Sequence, residues 1–224
     1  MTYLMQNELD KLKKQLLALT AEVEEAVEQA LKALETFDVP LARKVIDGDE
    51  RIDQMEVELE EECLKVLALH QPVAVDLRFI IAVLKLNNDL ERIGDLAANI
   101  AERALALADT KRISPPYDIG RMGGTTRKML KGSLDCLVQM NTHLAQDVLD
   151  LDDEVDAMHS GNFQLIKDRI RTNVDELESL TQYLTVSRHL ERIADLATNI
   201  AEEVFYMIEG EIVRHTSNWT HRER

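Results

Sequence analysis

Two kinds of carboxylate pair carry whatever chemistry this chain performs, and each occurs twice. Glu91 and Asp95 lie within Leu90-Glu91-Arg92-Ile93-Gly94-Asp95-Leu96-Ala97-Ala98-Asn99-Ile100-Ala101-Glu102. The string returns one hundred residues later, at Leu190 to Glu202, with eleven of thirteen positions identical and with Glu191 and Asp195 in the matching places. Asp49 and Asp53 form the second kind of pair, and Asp152 and Asp156 repeat it at an offset of 103. Residues four apart share a face of a helix, so each pair presents two carboxylates side by side. At about 100° per residue, Glu91, Asp95, Asn99 and Glu102 fall within an arc of about 80°, and Glu191, Asp195, Asn199 and Glu202 repeat it. Apolar packing alone gives no reason to keep Glu, Asp, Asn and Glu in one register.

The four carboxylates of one half repel unless positive charge sits among them. A hard cation, or a small cluster of cations, meets that need. Carboxylate oxygens suit Mg²⁺, Mn²⁺ and ferric iron, with zinc the poorer match. Facing helices that each offer an i,i+4 acidic pair are a sound way for a bundle to hold metal. The competing account is ordinary surface charge, or a network in which Arg92 and Arg192 neutralise the carboxylates across the bundle with no cation. Asn99, Glu102, Asn199, Glu202 and His159 are further candidates for ligation or for hydrogen bonds to the ligands; His159 stands where the first copy has Glu56.

The remaining polar residues point to no other chemistry. There is no Ser-His-Asp order, no dinucleotide fingerprint and no zinc-type cysteine spacing. His70 marks a turn, His143 falls near the end of a fourth helix, and His189 stands beside Arg188 off the ligand arc. His215, Trp219 and His221 belong to a polar tail. Cys63 and Cys136 read as small core residues; two cysteines are too few for a disulfide scaffold and fit a reducing compartment. Gly123-Gly124 inside a helical pattern reads as close packing or a kink.

The elements that must position these residues are helices. Eight Gly and four Pro in 224 residues, 4% aromatics and an excess of Ala, Leu, Glu and Asp describe an all-α chain. Hydrophobic periodicity predicts helices over 3–36, 41–69, 73–108, 116–148, 152–169 and 174–213. Pro40 and Pro72 mark the first two breaks, Ser114-Pro115-Pro116 the third, and Thr172-Asn173 the last. Asn141-Thr142 or Asp150-Leu151-Asp152 interrupts the second half. The repeat makes these six helices two tandem, internally duplicated three-helix bundles, over 1–110 and 111–216, with a tail at 217–224. Three residues are missing from the second copy between its two acidic motifs, near Gly161 or the turn at Thr172. A formal charge of −16 argues against nucleic acid and against anionic membrane as partners. No apolar run of 18 residues exists, so direct membrane insertion is not expected.

Taken in order along the chain, these motifs resemble the PhoU family, the accessory regulators of bacterial phosphate uptake. The resemblance rests on Asp49-Glu50-Arg51-Ile52-Asp53, on Gln71-Pro72-Val73-Ala74-Val75-Asp76-Leu77-Arg78, on Leu90 to Ile100, and on the second copies at 152–156 and 190–200. It covers roughly residues 5–213. It implies two related three-helix bundles, a dimer or higher oligomer, and multinuclear metal clusters held by Asp49, Asp53, Glu91 and Asp95 in one half and Asp152, Asp156, Glu191 and Asp195 in the other. It also implies work with the phosphate ABC transporter and the phosphate-sensing histidine kinase, in the cytoplasm or at the inner face of the membrane. The second copy has Thr172-Asn173-Val174-Asp175-Glu176-Leu177-Glu178 in place of the proline stretch, so any partner contact made by Asp76 and Arg78 belongs to the first half.

The leading expectation is therefore a non-enzymatic negative regulator of high-affinity phosphate uptake and phosphate-starvation signalling, docking through metal-bearing bundles. One alternative is a metal-dependent enzyme, which would need an open coordination position or the Glu-x-x-His pairs of a di-iron bundle. Another is a metal-free helical adaptor or chaperone-like protein.

Overall fold

The computed structural model describes residues 3–210, with side chains from residue 5, and among these it contains helices and no strand. The helices are α1 (Tyr3–Thr36), α2 (Val39–His70), α3 (Ala74–Asp109), α4 (Ile119–Gln139), α5 (Thr142–Thr172) and α6 (Leu177–Glu209), with a single 3₁₀ turn (Val174–Glu176) leading into α6. The tail at 217–224, with Trp219 and His221, lies outside the described residues, as do His215 and the predicted end of the last helix at 213. α1, α2 and α3 pack on one another, as do α4, α5 and α6, which gives the tandem bundles expected from the repeat.

Spacing explains the first bundle. Leu9, Leu12, Leu16, Leu19 and Val23 of α1 alternate steps of three and four and are all buried, a seam of period 3.5. Ile52, Leu59, Cys63 and Val66 supply the matching stripe of α2. Asp38 caps α2 by accepting from the Leu41 amide at 3.0 Å, next to Pro40 in the first turn. Asp118 caps α4, accepting from the Arg121 amide at 2.9 Å.

The fourth and fifth helices differ from the predicted spans. α4 ends at Gln139 and α5 begins at Thr142, so the chain turns at Met140-Asn141 and runs unbroken through Asp150-Leu151-Asp152. Met140 takes a left-handed conformation (φ 49°), and Asn141 caps α5 by accepting from the His143 amide at 2.9 Å. His143 therefore opens α5 rather than closing α4. The break matches the α1–α2 turn, where Phe37, 103 residues earlier, is also left-handed (φ 54°). The buried positions Ile52, Leu59 and Cys63 correspond to Val155, Asn162 and Ile166 at the constant offset of 103. The three missing residues thus fall after Ile166, at the Thr172 turn, and Gly161 is not involved. The Gly123 Cα lies where an added Cβ would meet Leu31 of α1 at 3.1 Å, so close packing is the reason for that glycine.

α3 and α6 join the halves. Each is buried on nearly all sides because it packs within its own bundle and against the other. Lys85 of α3 pairs with Glu203 of α6 at 3.0 Å and, with Arg78, lies over the Tyr206 ring. Toward the other end, His189 of α6 lies close enough to Arg103 of α3 to be affected by its charge. The two helices therefore run antiparallel, in a register that sets residue 95 at the level of residue 195.

Candidate metal centres on the paired helices

α2 and α3 bring Asp49, Asp53 and Asp95 together, with one carboxylate oxygen from each lying within 4.8 Å of the others. α5 and α6 do the same for Asp152, Asp156 and Asp195. The close approach of the helices has a local cause. Ile52 is buried between the two aspartates of α2, and Gly94 precedes Asp95; a Cβ on Gly94 would meet Ile52 at 3.0 Å and Asp49 Oδ1 at 3.5 Å. In the second copy Ala194 fills that space and Val155 takes the place of Ile52, giving back the volume that the extra methyl occupies.

The carboxylates are crowded. Burial, then Asp95 and Asp53, push the Asp49 carboxyl up to about 6. Burial, then Asp156, Asp195, Asp153 and Glu191, push Asp152 up to about 6. Asp95 is raised by burial and by Asp53, and Asp195 by burial, Glu191 and Asp156. Asp49 Oδ1 and Asp152 Oδ1 are fully buried with no hydrogen-bond partner. A carboxylate with an orphaned oxygen, grouped with two further carboxylates, suits a hard cation, which would satisfy lone pairs and cancel the repulsion together. The residues present fit such an ion in both halves.

The remaining candidates are placed around these triads. Glu91 is half-buried one turn from Asp95, outside the tight group but within its field; burial, Asp95, Asp53 and Glu56 all raise its carboxyl. Glu191 repeats that position, one turn from Asp195 on α6. Asn99 donates to the Asp95 backbone carbonyl at 2.8 Å. Glu102 pairs with Arg103 at 2.8 Å. Asn199 and Glu202 continue along α6, half-buried. His159 Nδ1 lies 3.0 Å from Ser187 Oγ. Arg78 covers Tyr206 of the second half, while Asp76 lies in the first turn of α3 beside Phe79 and Lys13.

The expected pairing of Arg92 and Arg192 with the carboxylates is not found. Among the described residues neither forms an ion pair with a triad aspartate; the arginine pairs join Arg51 to Glu22, Arg103 to Glu102, Arg121 to Glu154, Arg169 to Glu176 and Arg171 to Asp168. Both guanidinium-bearing residues are exposed, where solvation competes with pairing. His189 belongs to the α3–α6 interface, where burial and then Arg103, Arg192 and Arg188 lower its pKa.

A hydrogen-bonded layer one turn from each triad was not foreseen. Asn87, buried in α3, donates to the Glu56 backbone carbonyl at 2.8 Å and to Glu56 Oε1 at 3.1 Å. Ser187 and His159 occupy the corresponding positions in the second half. The readable signal was a polar residue, Asn87 or Ser187, standing at an apolar-stripe position between Val83 and Leu90 or Tyr183 and Leu190.

The comparisons with known proteins agree with this architecture. The PhoU domain matches twice, over residues 5–104 and 119–204. A phosphate-specific transport system accessory protein PhoU homolog of Aquifex aeolicus is 39% identical over 208 residues, covering 93% of this chain and 94% of that protein. PhoU homolog 1 of Thermotoga maritima is 35% identical, covering 92% of this chain and 89% of its own. Among solved structures, PhoU from Pseudomonas aeruginosa superposes with a TM-score of 0.89 at 34% identity, over 92% of this chain and 99% of that one. The phosphate transport system regulatory protein PhoU from Streptococcus pneumoniae gives a TM-score of 0.82 at 32% identity, over 93% and 99%. With a family domain over each bundle and full-length relatives of the same fold, the chain belongs to the PhoU family.

Proposed function

We propose that this chain is a non-enzymatic accessory regulator of phosphate transport, acting from the cytoplasm on the phosphate ABC transporter and the phosphate-sensing histidine kinase to restrain uptake and starvation signalling when phosphate is plentiful. The role follows the relatives, which are named as accessory and regulatory proteins of phosphate transport. Among the described residues no helix is long and apolar enough to cross a membrane.

The observation that carries the mechanism is the pair of carboxylate triads, each with a buried aspartate oxygen that lacks a partner. Each triad holds cations, iron, Mn²⁺ or Mg²⁺ in the first instance. The bound charge turns a self-repelling acidic patch into a rigid surface that docks on a basic or phosphorylated partner face. The protein works as a homodimer or higher oligomer, and light scattering at micromolar concentration should exceed the 25.5 kDa of one chain.

The decisive experiment is complementation. In cells lacking the native regulator, the unmodified chain restores low phosphate uptake in phosphate-rich medium, and the Asp49→Asn/Asp95→Asn variant, present at equal level, does not. Uptake that stays high with the unmodified chain would reject the regulatory role. Uptake restrained equally by both chains would reject the part given to the triads.

A further inference from the structure

The two triads share a backbone plan but differ in the next turn, and the difference is built in from several positions at once. In the first half Glu56 follows Asp53, held by Asn87 from α3, and buried Leu59 lies behind them. In the second half all three positions have changed together, to His159, Ser187 and Asn162. Asn162 is 7% exposed and Ser187 fully buried, in a layer that is apolar or amide-lined in the other copy. Asn162 donates to Ser187 Oγ at 3.0 Å and to Met122 Sδ at 3.3 Å, and the Ser187 hydroxyl lies 3.5 Å from that same sulfur.

A buried asparagine and serine under one imidazole need a reason, since each costs free energy relative to an apolar side chain. Orientation of the ring supplies it. With the Ser187 hydroxyl hydrogen turned to the Tyr117 phenol oxygen or to Met122 Sδ, Ser187 Oγ accepts from both Asn162 and His159 Nδ1. His159 then carries its proton on Nδ1 and keeps the lone pair of Nε2. A ligating histidine is commonly fixed in this way, by a hydrogen bond from its other ring nitrogen. His159 lies three residues beyond Asp156 and seven beyond Asp152, on the same face of α5. Ser187 lies one turn before Glu191 and two before Asp195 on α6. Like Glu91 and Glu191, His159 lies just outside the tight group of its three aspartates, and it is near enough to Asp195 for its charge to be felt there.

We propose that His159 is a nitrogen ligand of the second cation site, held by the Asn162–Ser187 pair, so that the halves bind different metals: oxygen donors alone at the first, mixed oxygen and nitrogen at the second. The inference rests on the reading of the triads as cation sites. Asp49, Asp53, Asp95, Glu91 and Glu56 select hard ions such as Mg²⁺, Mn²⁺ or ferric iron. Asp152, Asp156, Asp195 and Glu191 with His159 admit borderline ions, Zn²⁺ and Fe²⁺ among them. Zinc, the poorer match to carboxylates alone, becomes a suitable occupant of the second site.

The test uses the full chain carrying Asp49→Asn and Asp95→Asn, so that only the second site is intact, loaded with Mn²⁺ and read by pulsed electron paramagnetic resonance. Modulation from an imidazole ¹⁴N is expected, and it should vanish in His159→Gln while bound Mn²⁺ and the circular dichroism melt persist. The reciprocal chain, with Asp152→Asn and Asp195→Asn, should bind Mn²⁺ without ¹⁴N modulation. In calorimetric titrations Ser187→Ala should weaken Zn²⁺ at the second site by about tenfold or more and leave Mn²⁺ at the first unchanged. Bound Mn²⁺ with no ¹⁴N signal, or a signal that survives His159→Gln, would overturn this inference while leaving the cation sites standing. An unmodified chain that takes up neither Mn²⁺ nor Zn²⁺ would overturn both.

Discussion

At the residue scale, one of the two positions at which the long repeat differs is as informative as the eleven it keeps. Gly94 and Ala194 set how closely the helices approach, and Ile52 and Val155 compensate. Alanine is favoured over glycine inside a helix by about 1 kcal/mol, whereas forcing a methyl against Ile52 costs about 1–3 kcal/mol. Gly94→Ala should therefore be neutral or destabilising by up to about 2 kcal/mol in the native background. In an Ile52→Val background it should become stabilising, with a coupling of about 1 kcal/mol or more in a double-mutant cycle from urea unfolding. Additive effects would mean that the contact is not what selects the glycine.

The same scale sets a pH dependence for the chelator-treated chain. Asp49 and Asp152 have carboxyls raised from an ordinary value of 3.8 to about 6. Between those values the folded chain keeps protons that the unfolded chain has released, so these groups make stability fall as pH rises. The Asp49→Asn/Asp152→Asn variant should match the unmodified metal-free chain near pH 4 and melt at a higher temperature near pH 7. A melting difference that does not change across this window would show that the two carboxyls are not raised. The aspartates themselves were legible from spacing. Asn87 and Ser187 stood out as polar residues on apolar stripes, but the orphaned oxygens and the hydrogen bonds of that layer were not legible, because hydrogen bonding between helices depends on a register that periodicity does not give.

At the element scale, most helix ends could be read from proline and asparagine, but at one the sequence offered two places, Asn141-Thr142 and Asp150-Leu151-Asp152, and the first is the break. The α4–α5 turn carries neither Gly nor Pro: Met140 adopts φ 49° without the residue type that usually marks it. The acid-rich stretch at Asp150-Leu151-Asp152 imitated a break, although these acids lie inside α5 and one of them belongs to a triad. The caps make this testable. Asn141→Ala and Asp118→Ala each remove an acceptor for a first-turn amide and should each cost about 1 kcal/mol. They sit at the N-termini of different helices and share no partner, so the double variant should lose the sum. Chemical denaturation at neutral pH measures this. No loss from Asn141→Ala would mean that packing, not the cap, fixes where α5 begins.

At the scale of the whole molecule, the duplication predicted two bundles but not their union. Lys85, Glu203 and Tyr206 have no matching set at Thr185, Arg103 and Tyr206's partner position Ala106, so the antiparallel α3–α6 seam could not be inferred from the repeat. That seam sets both triads at one level of the molecule, each drawing one aspartate from a helix that joins the halves, Asp95 from α3 and Asp195 from α6. A cation held at either triad, as proposed, would tie α2 to α3 or α5 to α6 within one bundle. A ligand at about a hundredfold its dissociation constant adds about 2.7 kcal/mol to folding, and in a chain of this size each kilocalorie moves the melting temperature by about 2–4 °C. Chelation of the unmodified chain should lower its melting temperature by several degrees. Asp49→Asn/Asp95→Asn and Asp152→Asn/Asp195→Asn should each remove part of that loss, and together all of it, while raising the melting point of the metal-free protein by deleting like charges. Calorimetric scans with and without chelator, run beside a metal assay, measure both effects. Superimposable scans from a chain with negligible metal content would mean that the triads are held apart by solvent alone, and that the proposed docking does not draw on bound cations.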